Sequence, residues 1–250
     1  MSYHSGYAAL VGRPNVGKST LMNRLLGQKL AITSHKPQTT RHRIMGIRSQ
    51  ADGQIVFVDT PGIHARGNKA MNFYLNRAAR SALQGVDVIL FVIQALAWTE
   101  EDELVLKAIT EAGLPTIAVV NKVDLVPAKE KLLPFIQELA GRYNFLETVP
   151  ISAHDGDNVE VLAKTILDRL PAGEPIFPDD QISDRSERFF AAELLREPLI
   201  RRYPQVLPYA LTVEIARFEE VGGQDRLSAG IWVVRGRPGA LRLGRRGRAR

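Results

Sequence analysis

Cysteine is missing from all 250 residues, and long apolar runs are missing as well. Without cysteine the protein can form neither disulfides nor thiolate metal sites, which suits a reducing cytosol. The first ten residues lack a basic stretch followed by an apolar core, so we expect no secretory signal. The longest apolar runs, such as residues 86–93, are far shorter than a membrane-spanning helix. We therefore expect any membrane association to be peripheral.

Acidic residues are absent from the last stretch of the chain, residues 235–250, which is rich in arginine. Its seven arginines are Arg235, Arg237, Arg242, Arg245, Arg246, Arg248 and Arg250. The whole chain has a net charge of +6, so removing these seven charges leaves −1 for the rest. A basic tail of this kind can bind nucleic acid or an anionic membrane, and it can equally be an unstructured end.

Short apolar runs alternate with segments of helical period up to about Leu170. Most of the runs are rich in Val and Ile and are bounded by Gly, Pro, Asn or Asp. The five runs are residues 7–11, 54–58, 86–93, 115–120 and 148–151. Between them lie amphipathic segments, such as residues 158–170. This alternation predicts an α/β domain over residues 1–170, with a mostly parallel sheet and flanking helices.

Proline marks the end of this domain, since residues 171–178 contain three prolines in eight positions. Such a composition indicates a linker, which we place at residues 171–182. Residues 183–234 then follow the order helix, strand, strand, which is the beginning of an α+β module. Residues 235–250 form the arginine-rich tail.

The predicted module begins with a helix that Ser183 or Asp184 can cap. A half-buried strand is predicted where Leu211, Val213 and Ile215 alternate with polar residues. A turn at residues 222–223 and a second apolar strand at residues 231–234 complete the pattern.

A glycine-rich motif, GRPNVGKST, follows the first apolar run directly. It fits the phosphate-loop pattern G-x-x-x-x-G-K-S/T between a strand and a helix. Such a loop turns its backbone N–H groups inward, and the positive end of the following helix faces the same anion. Lys18 is expected to reach the β- and γ-phosphates, and the Ser19 hydroxyl is expected to ligate Mg²⁺. The predicted nucleotide contacts are Gly12, Arg13, Pro14, Asn15, Val16, Gly17, Lys18, Ser19 and Thr20.

Two further motifs are placed to hold magnesium and to sense the γ-phosphate. The sequence DTPG, whose members are Asp59, Thr60, Pro61 and Gly62, follows a predicted strand. Asp59 is expected to hold Mg²⁺ through water, and the Gly62 N–H to contact the γ-phosphate. Upstream, the sequence PQTTRHR offers adjacent threonines, Thr39 and Thr40. We favour Thr40 as the residue that reaches both Mg²⁺ and the γ-phosphate.

The sequence NKVD, at residues 121–124, is suited to recognising guanine. The Asp124 carboxylate can accept hydrogen bonds from N1–H and the N2 amino group, which adenine does not offer. Asn121 can donate to N7, and the Lys122 stem can cover the base face. After the next predicted strand, a backbone N–H of Ser152 or Ala153 can meet guanine O6. Each motif follows a strand, where ligands bind in open parallel sheets.

Together with FVIQALAWTEEDE at residues 91–103, these motifs closely resemble those of the Era family of bacterial GTPases. The resemblance runs from about Gly6 to about Val234. It implies Mg²⁺-dependent hydrolysis of GTP to GDP and phosphate, with action in 16S rRNA processing and 30S ribosomal subunit assembly. It also implies binding near the 3′ end of 16S rRNA, in a cytoplasmic protein that sometimes lies peripherally on the inner membrane.

The run FPDDQISDRSERFFAAELLRE, at residues 177–197, resembles the entry to the family's carboxyl-terminal KH domain, an RNA-binding module. Two departures follow it. Pro198 is expected to end or kink the first helix of the module near Glu197. After Val234 the family pattern of a GxxG loop, two helices and a strand is replaced by RGRPGALRLGRRGRAR. We therefore expect an incomplete KH-like module, followed by a tail of non-native or frame-shifted sequence.

Catalysis is expected to come from Lys18, Thr40, Gly62 and Asn15 through positioning and charge stabilisation. The residue after Gly62 is Ile63, not a water-orienting glutamine, and His64 is more simply interpreted as a solvated loop residue. Related GTPases without this glutamine suggest a potassium ion near Asn15. Slow intrinsic turnover is expected.

Three functions compete at this point. The first is a GTPase switch that couples nucleotide state to rRNA binding. The second is a working G domain whose damaged module leaves only nonspecific RNA, membrane or partner binding. The third is an ATP-dependent enzyme with the same phosphate loop, against which NKVD argues.

Overall fold

The computed structural model describes residues 2–33, 43–59, 85–203, 211–221 and 224–233. The chain divides into two units, Met1–Arg185 and Ser186–Arg250. Several residues with predicted roles lie outside the described ranges: Thr39, Thr40, Thr60, Pro61, Gly62, Ile63, His64, Gly222, Gly223 and the tail. The predictions made for these residues stay predictions.

A six-stranded sheet in the order β2-β3-β1-β4-β5-β6 forms the centre of the first unit. Its strands are β1 His4–Val11, β2 Ile44–Gln50, β3 Gly53–Asp59, β4 Val88–Gln94, β5 Thr116–Asn121 and β6 Glu147–Pro150. The helices of this unit are α1 Lys18–Leu26, α2 Glu100–Ala112, α3 Leu132–Arg142 and α4 Val159–Leu167. Neighbouring strands pair in parallel except β2 and β3, which are antiparallel. The predicted α/β fold class, with a mostly parallel sheet and flanking helices, is confirmed.

The burial of the central strand β4 shows that both faces of the sheet are covered. Every residue of β4 except Gln94 is buried, as expected for a parallel strand with helices on either side. Ile89, Phe91 and Ile93 alternate along it and join one hydrophobic cluster with residues of α2 and α3. Full burial of a side chain of this size stabilises the fold by about 1.5–3 kcal/mol. Helices α1 and α4 pack with each other and with β1 and β3.

Strand β2 was not predicted from the sequence. Its residues, IMGIRSQ, contain a glycine and three polar side chains and so lack a continuous apolar run. Gly46 lies under α1, because a Cβ there would meet the ends of the Leu26 and Met22 side chains, which would have to shift. A residue that looks like a strand breaker is therefore the point where a helix approaches the sheet closely.

The strand order places a topological switch point between β1 and β4. The chain leaves β1 toward β3 on one side of the sheet, and β4, β5 and β6 follow on the other side. In open α/β sheets, ligands bind at the carboxyl ends of the strands beside such a point. The carboxyl ends of β1, β3, β4, β5 and β6 therefore lie at one edge of the sheet, where we place the candidate site.

Residues 176–185, which we call the strap, are hydrogen-bonded to the sheet instead of forming a free linker. The side chain of Gln54 in β3 is fully buried and holds one end of the strap. Its Oε1 accepts from the backbone N–H groups of Ile176, at 2.8 Å, and Phe177, at 2.9 Å. Its Nε2 donates to Phe177 O at 2.8 Å and to Ser49 Oγ at 2.9 Å. One polar side chain thus satisfies three backbone groups of the strap.

The other end of the strap pairs with β2. Ile47 N donates to Ile182 O at 3.0 Å. The Ser183 hydroxyl donates to Met45 O at 2.5 Å, and the Asp184 carboxylate accepts from Met45 N at 3.1 Å. The prediction that Ser183 or Asp184 caps a helix is therefore wrong, because both side chains bond to the edge of the sheet.

Replacing Gln54 with leucine should lower the free energy of unfolding by about 3 kcal/mol, because the strap's backbone groups lose their partners. Chemical denaturation monitored by circular dichroism measures the change. The control is Gln50→Leu at the end of β2, where, among the described residues, the amide donates to the exposed Asp52 side chain. The control should lose less than about 1 kcal/mol. Equal losses in the two variants would show that Gln54 does not hold the strap.

The second unit contains one helix and two antiparallel strands in its described part. These are α5 Glu187–Arg202, β7 Leu211–Val221 and β8 Gln224–Val233. The N-cap of α5 is Ser186, whose hydroxyl accepts from Phe189 N at 3.4 Å. Pro198 was predicted to end or kink the helix near Glu197. It does not end the helix there, since α5 continues to Arg202. Proline removes only one N–H donor, and the turn beyond it is held by the bond from Tyr203 N to Leu199 O at 3.1 Å. No described helix, α5 included, is both long and apolar enough to cross a membrane.

Candidate nucleotide-binding site

The loop between β1 and α1 has the backbone shape of an anion site. Asn15 lies at its exposed tip beside Pro14 and has a φ of 62°, while Gly17 has a φ of 102°. Gly12 is needed because a Cβ there would overlap the carbonyl oxygen of Val92. Helix α1 begins at Lys18 with no side chain bonded at its N-cap, Gly17. The first N–H groups of α1 are therefore not satisfied by a capping side chain and can bind an anion.

Lys18 is buried and points back over its own loop. Its Nζ donates to Gly12 O and to Arg13 O, each at 2.9 Å. Burial lowers the pKa of Lys18 to about 8, and the carboxylate of Asp59 opposes that shift. The ammonium is thus held in the loop by two carbonyl oxygens, in a position from which it can contact a phosphate.

Ser19 and Asp59 come together at the carboxyl end of β3. The Ser19 hydroxyl donates to Asp59 Oδ2 at 3.0 Å, and Asp59 is fully buried. A carboxylate beside a hydroxyl is the kind of oxygen donor set that Mg²⁺ prefers, with phosphate oxygens and waters completing its octahedron. The residues present therefore fit a phosphate-bound Mg²⁺. Thr20 lies in the same first turn of α1 and is partly exposed.

Asn121, the last residue of β5, joins the phosphate loop to the loop after β6. Its Nδ2 donates to Val16 O at 2.7 Å, and its Oδ1 accepts from Ala153 N at 2.9 Å. Sequence reasoning assigned Asn121 only a bond to N7 of guanine and missed this bridging role. Of the two N–H groups that the sequence offers to guanine O6, that of Ala153 donates to Asn121, and that of Ser152 donates to Asp157 O at 3.1 Å.

Asp124 lies in a short 3-10 turn, Val123–Leu125, and is exposed. The Ser152 hydroxyl donates to Asp124 Oδ1 at 2.7 Å and accepts from Asp155 N at 3.0 Å. This orients one carboxylate oxygen and leaves the other toward solvent for a ligand. Ser152 therefore acts through its side chain, which sequence reasoning did not anticipate.

Lys122 adopts a φ of 67° immediately before that turn. Its Nζ donates to Gln94 Oε1 at 3.1 Å, so its side chain crosses from the end of β5 to the end of β4. Burial lowers the pKa of Lys122, and the nearby charge of Arg13 lowers it further. The stem of Lys122 is placed to form an apolar wall for a flat base.

Arg24 on α1 was missed by sequence reasoning. Its Nε donates to Ala153 O at 3.3 Å, and its guanidinium also bonds His154 O. The guanidinium lies against Gly156, which has a φ of 99°. The loop that follows β6 is therefore braced by the helix that follows the phosphate loop. No local pattern could have revealed this contact, because the partners are about 130 residues apart.

The structure thus gathers the predicted residues into two connected groups. The phosphate end contains the loop of residues 12–20 together with Asp59. The base end contains Asn121, Lys122, Asp124, Ser152 and Ala153. Thr40, Thr60, Pro61 and Gly62 lie outside the described ranges.

Comparisons with known proteins identify similar chains. A family model described as "50S ribosome-binding GTPase" matches residues 7–122. GTPase Era of Pseudomonas aeruginosa (strain LESB58) is 51% identical over 230 residues, which cover 92% of this chain and 75% of that protein. GTPase Era of Stenotrophomonas maltophilia (strain R551-3) is 49% identical over 98% of this chain and 82% of its own length. An alignment with 98% coverage extends past Val234 into the arginine-rich tail.

One similar solved structure is a single-residue variant of Aquifex aeolicus Era bound to GDP.AlF4-. Its TM-score is 0.88 and its sequence is 38% identical. The match covers 98% of this chain and 84% of the other. A structure of Era in complex with MgGDPNP and nucleotides 1506-1542 of 16S ribosomal RNA has a TM-score of 0.87 and is also 38% identical. That match covers 94% of this chain and 80% of the other.

Proposed function

This chain belongs to the Era family of GTPases, and from that premise we propose that it hydrolyses GTP as a switch controlling binding to 16S rRNA during 30S subunit assembly. The observation that carries this proposal is the bridge made by Asn121. Because its side chain bonds both the phosphate loop and the loop after β6, one nucleotide can be held at its phosphates and its base together.

In this proposal the chain's own residues bind and orient the nucleotide. Lys18 and the N-terminal N–H groups of α1 hold the phosphates, while Asp124 and the Ala153 N–H recognise guanine. Ser19 and Asp59 hold Mg²⁺, which neutralises charge on the β- and γ-phosphates when bound. Thr40 and Gly62 are proposed to contact the γ-phosphate, and a potassium ion beside Asn15 remains a prediction.

The second unit supports the RNA part of the proposal. Its order of one helix and two antiparallel strands is the order expected at the beginning of a KH-like module, and the match to the Era structure solved with 16S ribosomal RNA covers 94% of this chain. We therefore propose 16S rRNA as the partner and the cytoplasm as the location. Peripheral contact with the inner membrane is a secondary proposal, which flotation with vesicles tests.

The pH dependence of GDP binding tests the position of Lys18. With its pKa near 8 in the nucleotide-free protein, Lys18 loses its proton as pH rises through that value. A bound phosphate stabilises the ammonium, so affinity should fall above pH 8, by about fourfold between pH 7 and pH 8.5. Titration with a fluorescent GDP analogue in EDTA measures this without Mg²⁺. The variant Lys18→Arg, which stays protonated throughout, should give a flatter curve, and a flat curve for the unmodified protein would contradict the prediction.

The proposal as a whole is tested by binding the 3′ end of 16S rRNA to the GTP-bound and GDP-bound protein across a range of salt. Tighter and sequence-specific binding in one nucleotide state supports it. Binding with a steep salt dependence but no sequence preference would indicate that only nonspecific contacts are made. A parallel competition between GTP and ATP tests base selectivity, and equal competition would contradict the assignment of Asp124.

A further inference from the structure

The phosphate loop is tied to α2 by a buried ion pair whose acidic partner, Asp102, lies outside the predicted site. Arg13 Nε donates to Asp102 Oδ2 at 3.0 Å. The Asp102 side chain is fully buried, while the Arg13 side chain is 16% exposed. A buried pair of this kind depends on both partners, because removal of one leaves the other charged and desolvated.

Asp102 also belongs to the capping box of α2. Its Oδ2 accepts from Thr99 N at 2.9 Å and from Thr99 Oγ1 at 2.8 Å. These bonds fix the carboxylate at the start of the helix, where a negative charge is stabilised by the helix dipole. In the described part of the chain, Asp102 Oδ1 is buried without a hydrogen-bond partner. Among the described residues, Arg13 forms the ion pair with this carboxylate, and Asp102 also raises the pKa of Lys18 against the effect of burial.

The ion pair between Arg13 and Asp102 is connected to the Lys18 ammonium through the backbone of Arg13. The carbonyl of Arg13 accepts from Lys18 Nζ at 2.9 Å, while the side chain of the same residue is held by Asp102. The guanidinium of Arg13 is also close enough to Lys18 and Lys122 to disfavour their charged forms.

We propose that Asp102 is a positioning residue for nucleotide binding and hydrolysis, acting through Arg13 to fix the phosphate loop. This rests on the proposed GTPase function. Asp102 holds the Arg13 side chain against α2, so that the Arg13 carbonyl stays in place to accept from Lys18 Nζ. The anchored loop is then already shaped for the nucleotide before binding.

The test is a double-mutant cycle between Arg13 and Asp102. Asp102→Asn keeps the shape of the side chain and an acceptor for Thr99 but removes the charge. We expect it to weaken GDP binding and to lower kcat for GTP hydrolysis, each by about tenfold. In Arg13→Gln/Asp102→Asn the loop has lost the same anchor that each single substitution removes, so GDP affinity should stay within about threefold of that of Asp102→Asn alone.

Two controls separate positioning from helix stability. Thr99→Ala removes the cap of α2 and one bond to Asp102, but it keeps the bond from the backbone N–H of residue 99 and the ion pair with Arg13. It should therefore lower the melting temperature with little effect on GDP affinity. Glu100→Gln removes an exposed charge from the same turn and should change neither quantity. The melting temperature of each nucleotide-free variant shows whether it folds, and the ³¹P chemical shift of bound GDP reports on the phosphate loop directly.

The expected outcome is a displaced ³¹P resonance in Asp102→Asn and an unchanged one in Thr99→Ala. The inference is overturned if Asp102→Asn, folded, binds and hydrolyses nucleotide like the unmodified protein, or if the two substitutions of the cycle are additive. If Asp102→Asn does not fold, a second double-mutant cycle with Arg13→Ala and Asp102→Glu replaces the first. Additive effects on GDP affinity in that cycle would likewise overturn the inference. Failure of the unmodified protein to bind GDP would instead count against the proposed function.

Discussion

Replacing Asp124 with asparagine should lower the affinity for GTP by about 10³-fold, since two charge-assisted hydrogen bonds to guanine are lost. In this structure Ser152 orients one oxygen of the Asp124 carboxylate and the residue is exposed at the end of the site. The side-chain amide of asparagine can donate to the second carbonyl oxygen of xanthine, a group that guanine does not have. Affinity for XTP should therefore rise as affinity for GTP falls. Competition of both nucleotides against a fluorescent GDP or XDP analogue measures the exchange.

The matched control for this change is Asp155→Asn. Asp155 is a partly exposed acid in the loop after β6, and its carboxylate bonds only the neighbouring His154 ring among the described contacts. Its neutralisation should leave the ratio of GTP to XTP affinity unchanged. If Asp124→Asn lost both nucleotides equally, Asp124 would be supporting the loop and not selecting the base.

The second large effect is expected from Gly17→Ala, which should reduce GDP affinity by more than about 10²-fold and cost at least about 2 kcal/mol of stability. Gly17 has a φ of 102°, and a Cβ there would overlap the Nδ2 atom of Asn121. A single methyl group would thus distort the phosphate loop and displace the amide that bridges to Ala153. Isothermal titration with GDP and thermal unfolding measure the two losses.

Gly27→Ala provides the comparison that isolates the overlap. Gly27 also has a positive φ, of 68°, but a Cβ there meets nothing within 4 Å. Only the backbone strain remains, so this variant should lose about 1 kcal/mol of stability and keep its GDP affinity. Similar losses of affinity in both variants would mean that general destabilisation, not the contact with Asn121, explains Gly17→Ala.

The sequence predicted most of the first unit because its parallel strands are buried on both faces. A run such as β4 is apolar at almost every position, and the described residues of the motifs lie at the carboxyl ends of the strands, at one edge of the sheet. The resemblance to the Era family, drawn from those motifs, is confirmed by relatives about half identical over most of the chain. GTP hydrolysis with GTP, GDP and Mg²⁺ as ligands follows from that membership.

What the sequence did not reveal depends on packing between distant residues. Asp102 and Arg24 look like ordinary helix-surface charges, and nothing local shows that each is bonded to a loop of the site. In the sequence, Gln54 is a polar residue within an apolar strand. Its side chain is nevertheless fully buried, because it hydrogen-bonds the backbone of the strap as a neighbouring strand would. The proline-rich composition of residues 171–178 predicts a linker, but it does not reveal whether that segment is free or hydrogen-bonded to the sheet.

The strap also protects an edge of the sheet. Strand β2 is the last strand on its side, and an uncovered edge offers N–H and C=O groups to which another chain can add. Residues 182–184 occupy those groups along the first half of β2, through the bonds to Ile47 and Met45. Detachment of the strap would therefore expose a template for strand addition between molecules, and a chain cut within it should self-associate and aggregate.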